Sequence, residues 1–285
     1  MSKISFFFQD AKPFVKLMML IAIFMFITSL YSFASYFFSF NAYISQSIAQ
    51  ILMFGLSVII WGYMFEGNPI SFIKTKGRNL RYYLIISFLL VFILLPFIDG
   101  ISIWNNSWSF EGDETLRKME ENSKLITSSL LSVNSISMLF VNLLVFALIP
   151  AFLEEYFFRG AMQKTIIAMF RNEFFGILLT SIIFSLAHFQ FFSSIPRVLL
   201  GMILGYLYLY SKNIFIPILF HFLNNSIGII SVYLYYNSFV DKDYTQNGEI
   251  YSPWLFTISL TLICIFFAIE IRKRRKSRIF VENLK

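Results

Sequence analysis

Long apolar runs separated by short polar segments form the dominant pattern along the chain. A helix needs about 20 mostly apolar residues to cross a bilayer, and about eight runs approach that length. They lie at roughly 16–38, 47–65, 82–104, 135–157, 172–192, 196–210, 214–235 and 253–271. The pattern therefore predicts an all-α fold, a polytopic membrane bundle of about eight transmembrane helices. The sixth run is short, which predicts a tilted or half-buried helix.

Two polar segments between these runs also have helical periodicity. The first, at 105–134, is the one extended polar loop, and its stretch 113–131 predicts a short amphipathic helix outside the membrane. The second, at 160–171, predicts a short interfacial helix on the cytoplasmic side. Gly201 and Gly205, four residues apart, predict close contact between the sixth helix and a neighbour.

Composition excludes a soluble domain. Hydrophobic residues make up 58% of the 285 residues, charged residues make up 14%, and the mean hydropathy is +0.70. No internal repeat or long linker is visible, so we expect a single membrane domain.

The net charge of +7 could suggest a nucleic-acid partner, but the charges alternate between loops. Basic residues collect in one set of segments (Lys74, Lys76, Arg78, Arg81, Lys164, Arg171 and 272–278) and acidic residues in the alternate set (Glu111, Asp113, Glu114, Glu120, Glu121, Asp241, Asp243 and Glu249). By the positive-inside rule this alternation predicts that both termini are cytoplasmic, with Arg197 as the main exception. We therefore expect the lipid bilayer, and no nucleic acid, as a partner.

Ionisable side chains interrupt several of the apolar runs, although each costs roughly 2.5 to 3.5 kcal/mol at membrane depth. Glu154, Glu155 and Arg159 lie at the end of the fourth run. Residues four apart share a helix face, so Glu155 and Arg159 can pair, which leaves Glu154 freer to act as a general base. On its own, this cluster is more typical of an ion pair at a helix end.

The only two histidines of the chain lie in other apolar runs. His188, in the fifth, is by itself typical of a core histidine bonded to a backbone carbonyl. His221 and Asn225 share a helix face, and polar contacts between helices would explain that pair equally well. Together with a glutamate, however, these residues supply a base and oxyanion donors, the groups needed to hydrolyse an amide. The predicted boundaries place Glu154 near the cytoplasmic side and His188 nearer the outer side.

The same residues resemble the three ordered motifs of the CPBP family of intramembrane proteases, which includes type II CAAX prenyl proteases and bacterial bacteriocin-processing or immunity proteins. EExxxR appears as Glu154, Glu155 and Arg159, FxxxH as Phe184 and His188, and HxxxN as His221 and Asn225. The resemblance spans roughly residues 136–235, and together with the apolar runs it divides the chain into three expected regions. Residues 1–135 hold N-terminal transmembrane helices and an external loop, 136–235 the catalytic core, and 236–285 a second external loop, the last transmembrane helix and a basic cytoplasmic tail.

The resemblance further implies an intramembrane endopeptidase whose substrate is a peptide or protein in the membrane. Glu154 and His188 would activate water, His221 and Asn225 would stabilise the oxyanion, and Glu155 and Arg159 would support the geometry of the site. The substrate would be a CAAX-type C terminus if the host prenylates proteins, and otherwise a bacterial peptide precursor or small membrane protein.

A bound metal is an open alternative at this point. Glu154, His188 and His221 could hold zinc with a water in the open position, as in a metalloprotease. The chain has no HExxH motif, and the two histidines lie far apart in sequence. A metal-free glutamate mechanism is therefore favoured, and no cofactor is expected.

Two other functions fit part of the pattern. A proton-coupled transporter also uses membrane-embedded glutamate and histidine, but it is disfavoured because no inverted repeat or matched pair of broken helices is visible. A non-catalytic immunity or scaffold protein is the other alternative, and it is not indicated because every motif position is retained.

Overall fold

The computed structural model describes residues 8, 10–38, 40–68, 77, 79–109, 112–241 and 253–282, with the side chains of the last segment described as far as Arg274. Nine helices and no strand are present in these residues. They are α1 (Pro13–Phe37), α2 (Ala42–Phe65), α3 (Leu80–Asn106), α4 (Glu114–Leu131), α5 (Ile136–Phe170), α6 (Glu173–Leu186), α7 (Ser194–Ser211), α8 (Phe215–Tyr236) and α9 (Pro253–Glu282). The predicted all-α membrane bundle is confirmed.

Seven of the described helices are long and apolar enough to cross a bilayer, namely all except α4 and α6, with α7 counted from Phe191. The prediction of about eight full-length spans is corrected at its fifth segment. With 14 residues, α6 is about 21 Å long, short of the roughly 30 Å hydrocarbon core. The apolar run at 172–192 is longer than the helix because the chain turns after Leu186, through Phe189 with a φ of 53°.

Helix α5 continues without a break through the segment predicted to be a separate interfacial helix. It is 35 residues long. Met162 and Ile166 are buried, and the last turns of α5 pack against α1 and α6. The segment is therefore helical as far as Phe170, but it is the end of the long helix α5 and not a separate interfacial helix, because its apolar face is buried against other helices.

Gly201 and Gly205 of α7 provide the predicted close contact. A Cβ atom added to Gly201 would lie 2.9 Å from the Cβ of Ser181, and one added to Gly205 would lie 2.8 Å from the Oε1 of Gln163. Larger residues would hold α7 further from α5 and α6. The close approach lets side chains of α5 reach backbone carbonyl groups of α7.

The apolar core consists chiefly of two clusters of buried side chains. One joins α1, α2, α5 and α6 around Trp61, Phe158 and Phe184, and the other joins α3, α7, α8 and α9 around Leu94, Leu204 and Phe220. Helices from both clusters line the polar cavity described below.

The polar loop contains the predicted amphipathic helix, α4, which is anchored through a buried carboxylate. Glu120 accepts hydrogen bonds from the backbone N–H of Phe192 at 2.9 Å and from the hydroxyl of Ser193 at 2.5 Å. It also pairs with Lys124 at 3.0 Å. Burial alone would raise the pKa of Glu120, but these hydrogen bonds and the Lys124 charge outweigh burial and lower it below the ordinary value. Glu120 thus holds α4 on the short 3₁₀ turn that precedes α7.

Protonation of Glu120 is expected to destabilise the protein in acid. Because its pKa is lowered in the folded state, the ionised carboxylate stabilises the fold above the ordinary pKa of 4.5, and this stabilisation is lost as the pH falls through the lower folded value. The thermal midpoint of Glu120→Gln in detergent should therefore lie furthest below that of wild type above about pH 5 and converge with it in acid. The same change at the exposed neighbour Glu121 is the control. If the difference in thermal midpoint between wild type and Glu120→Gln does not change with pH, ionised Glu120 does not stabilise the fold in this way.

Several charges used to predict topology lie outside the described residues: Lys74, Lys76 and Arg78 of one loop, Glu111 of another, and Asp243 and Glu249 before α9. The orientation of the termini therefore stays a prediction from sequence.

Candidate active site

The residues singled out in the three motifs meet at one cavity. The cavity has a volume of about 460 Å³ and lies among α2, α3, α5, α7, α8 and the turn after α6. Glu154, His188, His221 and Asn225 line it, together with Gln46, Gln50, Ser102, Phe184, Asn224 and Arg197 among others. Although hydropathy places Glu154 and His188 at different depths, both face this space, because Glu154 lies near the middle of the long α5 and His188 follows the short α6.

Glu154 and Glu155 lie between two stretches of α5 with π-helical hydrogen bonding, Leu143–Leu148 and Tyr156–Gln163. Such wider turns shift the direction in which side chains leave a helix and are frequent at functional sites. The two adjacent carboxylates lie in different surroundings: Glu154 lines the cavity, and Glu155 is buried behind it.

Glu155 is the centre of a buried ionic network. Its Oε1 accepts from Nη1 of Arg159 at 2.8 Å, which confirms the pairing predicted from their spacing, and from Nδ1 of His221 at 2.9 Å. Glu155 and Arg159 have no solvent-exposed side-chain surface. The bond to His221 was not predicted, because it joins residues 66 positions apart. Glu155 thus fixes the orientation of the His221 ring.

Arg159 connects this network to the neighbouring helices. Its Nη2 donates to the carbonyl of Gly201 at 3.1 Å, and its guanidinium lies 4.8 Å from the ring centroid of Phe184. The Phe184 ring in turn contacts both His188 and His221 edge-on, at centroid distances of 4.9 and 5.8 Å. The phenylalanine of the second motif therefore packs between the ion pair and both histidines.

His188 is oriented by the carbonyl of Phe184, which lies 2.8 Å from Nδ1. A carbonyl only accepts, so Nδ1 carries a proton. In the neutral ring this leaves Nε2 as an acceptor. His188 can therefore accept a hydrogen bond from a water molecule in the cavity.

Glu154 has one engaged and one available carboxylate oxygen. Nε2 of Gln50, on α2, donates to Oε1 at 3.1 Å. The buried Oε2 has no hydrogen-bond partner among the described residues. A buried carboxylate oxygen is costly without a donor, so this atom is suited to hold a water or substrate proton. The sequence analysis did not single out Gln50. Its polar amide inside the second apolar run could have marked it as a candidate site residue.

Asn225 is placed to donate into the cavity. The Nδ2 of Asn224 donates to the Oδ1 of Asn225 over a long distance, 3.5 Å. Asn225 itself lines the cavity. An amide N–H and an imidazole on one face of α8 form the kind of donor pair that stabilises an oxyanion.

Loss of the Gln50 amide is expected to impair Glu154. Gln50→Leu should lower kcat about tenfold, since a hydrogen bond to a charged group contributes about 1.5–3 kcal/mol. Gln46→Leu is the matched control, because Gln46 lies one turn away and lines the same cavity. Peptide cleavage by purified protein measures both variants, and an equal loss for both would refute a specific role for Gln50.

The zinc alternative has no support in the geometry. Among the described residues, no group of three or more histidine, cysteine, aspartate or glutamate side chains is arranged to hold a metal ion. This includes the set considered from sequence, Glu154, His188 and His221.

Comparison with protein families identifies the segment that carries this site. The family model described as "Type II CAAX prenyl endopeptidase Rce1-like" matches residues 136–227, which include every motif residue. No curated protein and no solved structure gives a significant match. The central segment of this multi-pass membrane protein, residues 136–227, is therefore similar to the type II CAAX prenyl endopeptidases.

Proposed function

We propose that the protein is an intramembrane endopeptidase that hydrolyses a peptide bond in the cavity beside Glu154. The observation that carries the proposal is the convergence of Glu154, His188, His221 and Asn225, from three separate parts of the chain, on one polar cavity. Structural polar contacts between helices would pair these side chains with each other, whereas here the buried Glu154 Oε2 has no hydrogen-bond partner among the described residues, and Asn225 lines the cavity.

In the proposed reaction, Glu154 Oε2 accepts a proton from a water molecule whose oxygen attacks the scissile carbonyl carbon. His188 Nε2 accepts a second hydrogen bond from the same water and fixes its position. The carbonyl oxygen becomes an oxyanion. When the C–N bond breaks, the proton on Glu154 passes to the departing amine, and the other product is a carboxylic acid.

Asn225 and His221 would stabilise the oxyanion. Because Nδ1 of His221 donates to Glu155, donation to the oxyanion would come from Nε2, which requires a protonated ring. Glu155 contacts both His221, at 2.9 Å, and Arg159, at 2.8 Å, so it holds the His221 ring in position for this donation. This gives Glu155 a second task beyond holding the helix together.

Several residues that line the cavity lie where helices begin or end on the side of the bundle that carries α4: Gln46 near the start of α2, Ser102 near the end of α3 and Arg197 near the start of α7. The proposed substrate is a CAAX-type C terminus or a peptide precursor that enters the cavity from this end of the bundle.

Cleavage by the purified protein tests the proposal. Wild-type protein in lipid nanodiscs would be incubated with a prenylated CAAX peptide and with an unmodified apolar precursor peptide, and the products would be identified by mass spectrometry. Cleavage of either, resistant to a chelator and absent from Glu154→Gln, is the expected result. A wild-type phenotype in cells that carry Glu154→Gln would favour a non-catalytic scaffold instead.

A further inference from the structure

Arg197 is a cation inside the candidate active site with no part in the reaction proposed above. It lies in the first turn of α7 and lines the same cavity as Glu154 and His188. Among the described residues, no other lysine or arginine lines this cavity. It is also the main exception to the charge alternation of the loops, so topology does not account for a basic residue here.

Arg197 has only neutral hydrogen-bond partners in the described part of the chain. Its two terminal nitrogens donate to the backbone carbonyl of Gln190, at 3.5 Å, and to the Oε1 of the same residue. No described carboxylate pairs with it. Two carboxylates act on it electrostatically without forming an ion pair with it: Glu120, which bonds Ser193 and Lys124, and Glu154, which accepts from Gln50.

The guanidinium is nevertheless held in place. The Nε2 of Gln190 donates to the hydroxyl of Ser123 on α4 at 3.4 Å, and α4 is anchored near the same turn through Glu120. Gln190 therefore links Arg197 to a fixed external helix. A fixed arginine loses little conformational entropy when it binds a planar anion through two parallel hydrogen bonds.

A positive charge in a partly dry cavity at the membrane is costly unless an anion accompanies it. Because the described protein groups supply no anion at contact distance, the arrangement is complementary to an anionic group on a ligand. Every peptide substrate with a free C terminus carries one such group, its C-terminal carboxylate.

We propose that Arg197 binds the C-terminal carboxylate of the substrate, so that the bond cleaved lies close to the free C terminus. This inference rests on the proposed function and decides between its two substrate classes, because a CAAX-type terminus meets the requirement and internal cleavage of a long precursor does not. A cavity of about 460 Å³ is within the range that holds a small ligand. Three extended residues reach about 10 Å from the scissile bond.

Matched acid and amide peptides test the proposal. Two prenylated CAAX peptides of identical sequence, one ending in a carboxylate and one in a carboxamide, would be cleaved by wild-type protein and by Arg197→Gln. Wild type should prefer the acid about 10- to 100-fold in kcat/KM, the effect of one charge-assisted hydrogen-bonded pair. Arg197→Gln should lose this preference mainly by a slower reaction of the acid, and Arg197→Lys should keep a reduced preference.

The ratio of the two rates within one preparation does not depend on how much of a variant is folded. Arg81→Gln removes the same charge at the exposed start of α3 and should leave the ratio unchanged. If wild type cleaves both peptides equally, or Arg197→Gln slows both to the same extent, the role of Arg197 is refuted, but the proposed peptidase function is still supported. If wild type cleaves neither peptide, the proposed function fails for this substrate class, and the inference fails with it.

Discussion

Replacement of Glu154 by glutamine is expected to lower kcat for peptide cleavage by a factor of about 10² to 10⁴, the usual contribution of a general base. Glutamine has nearly the same shape and can still contact Gln50, but it cannot take a proton from water. The loss should appear in kcat with little change in KM, since Glu154 acts on the transferred proton more than on the bound peptide. Single-turnover cleavage in nanodiscs measures the effect.

Glu66→Gln is the control for Glu154→Gln, because it is the same chemical change at an exposed residue at the end of α2. Both variants should insert in the membrane and unfold at the wild-type temperature. Near-normal turnover by Glu154→Gln would refute the mechanism, and a loss shared by Glu66→Gln would point to a nonspecific effect of charge.

Removal of Glu155 is expected to have the largest effect on folding as well as activity. Glu155→Ala leaves Arg159, which has no exposed side-chain surface, without its carboxylate partner. An unpaired buried charge costs about 3–5 kcal/mol. The variant also loses the acceptor that orients His221. The free energy of unfolding should therefore fall by about 3 kcal/mol or more, and cleavage should be lost.

A double variant separates these two roles of Glu155. Glu155→Leu combined with Arg159→Met removes both charges and fills similar volume, and such replacements of buried pairs are often neutral or stabilising. Denaturation in mixed micelles should show the double variant to be more stable than Glu155→Ala, while it stays inactive. If the double variant regains activity, the network is not needed to position His221.

The elements that were predicted correctly are those set by local periodicity. The Glu155–Arg159 pair follows from a spacing of four residues on one helix, and the amphipathic α4 follows from its alternating pattern. Hydropathy was less reliable at helix ends, because apolar residues continue after α6 into a turn that carries His188. The end of a helix depends on backbone geometry and packing as well as on hydrophobicity.

By itself, the sequence determined that the chain forms a membrane bundle. It also identified ionisable residues in apolar helices, where their free-energy cost is high enough to suggest a function. Only the tertiary structure decided which helix faces meet. It placed Glu154 and His188 at one cavity and brought Glu155 to His221 across 66 positions. It also added Gln50 and Arg197, which belong to no motif. The physical reason is that periodicity fixes directions within one helix, whereas contacts between helices depend on long-range packing, such as the approach allowed by Gly201 and Gly205.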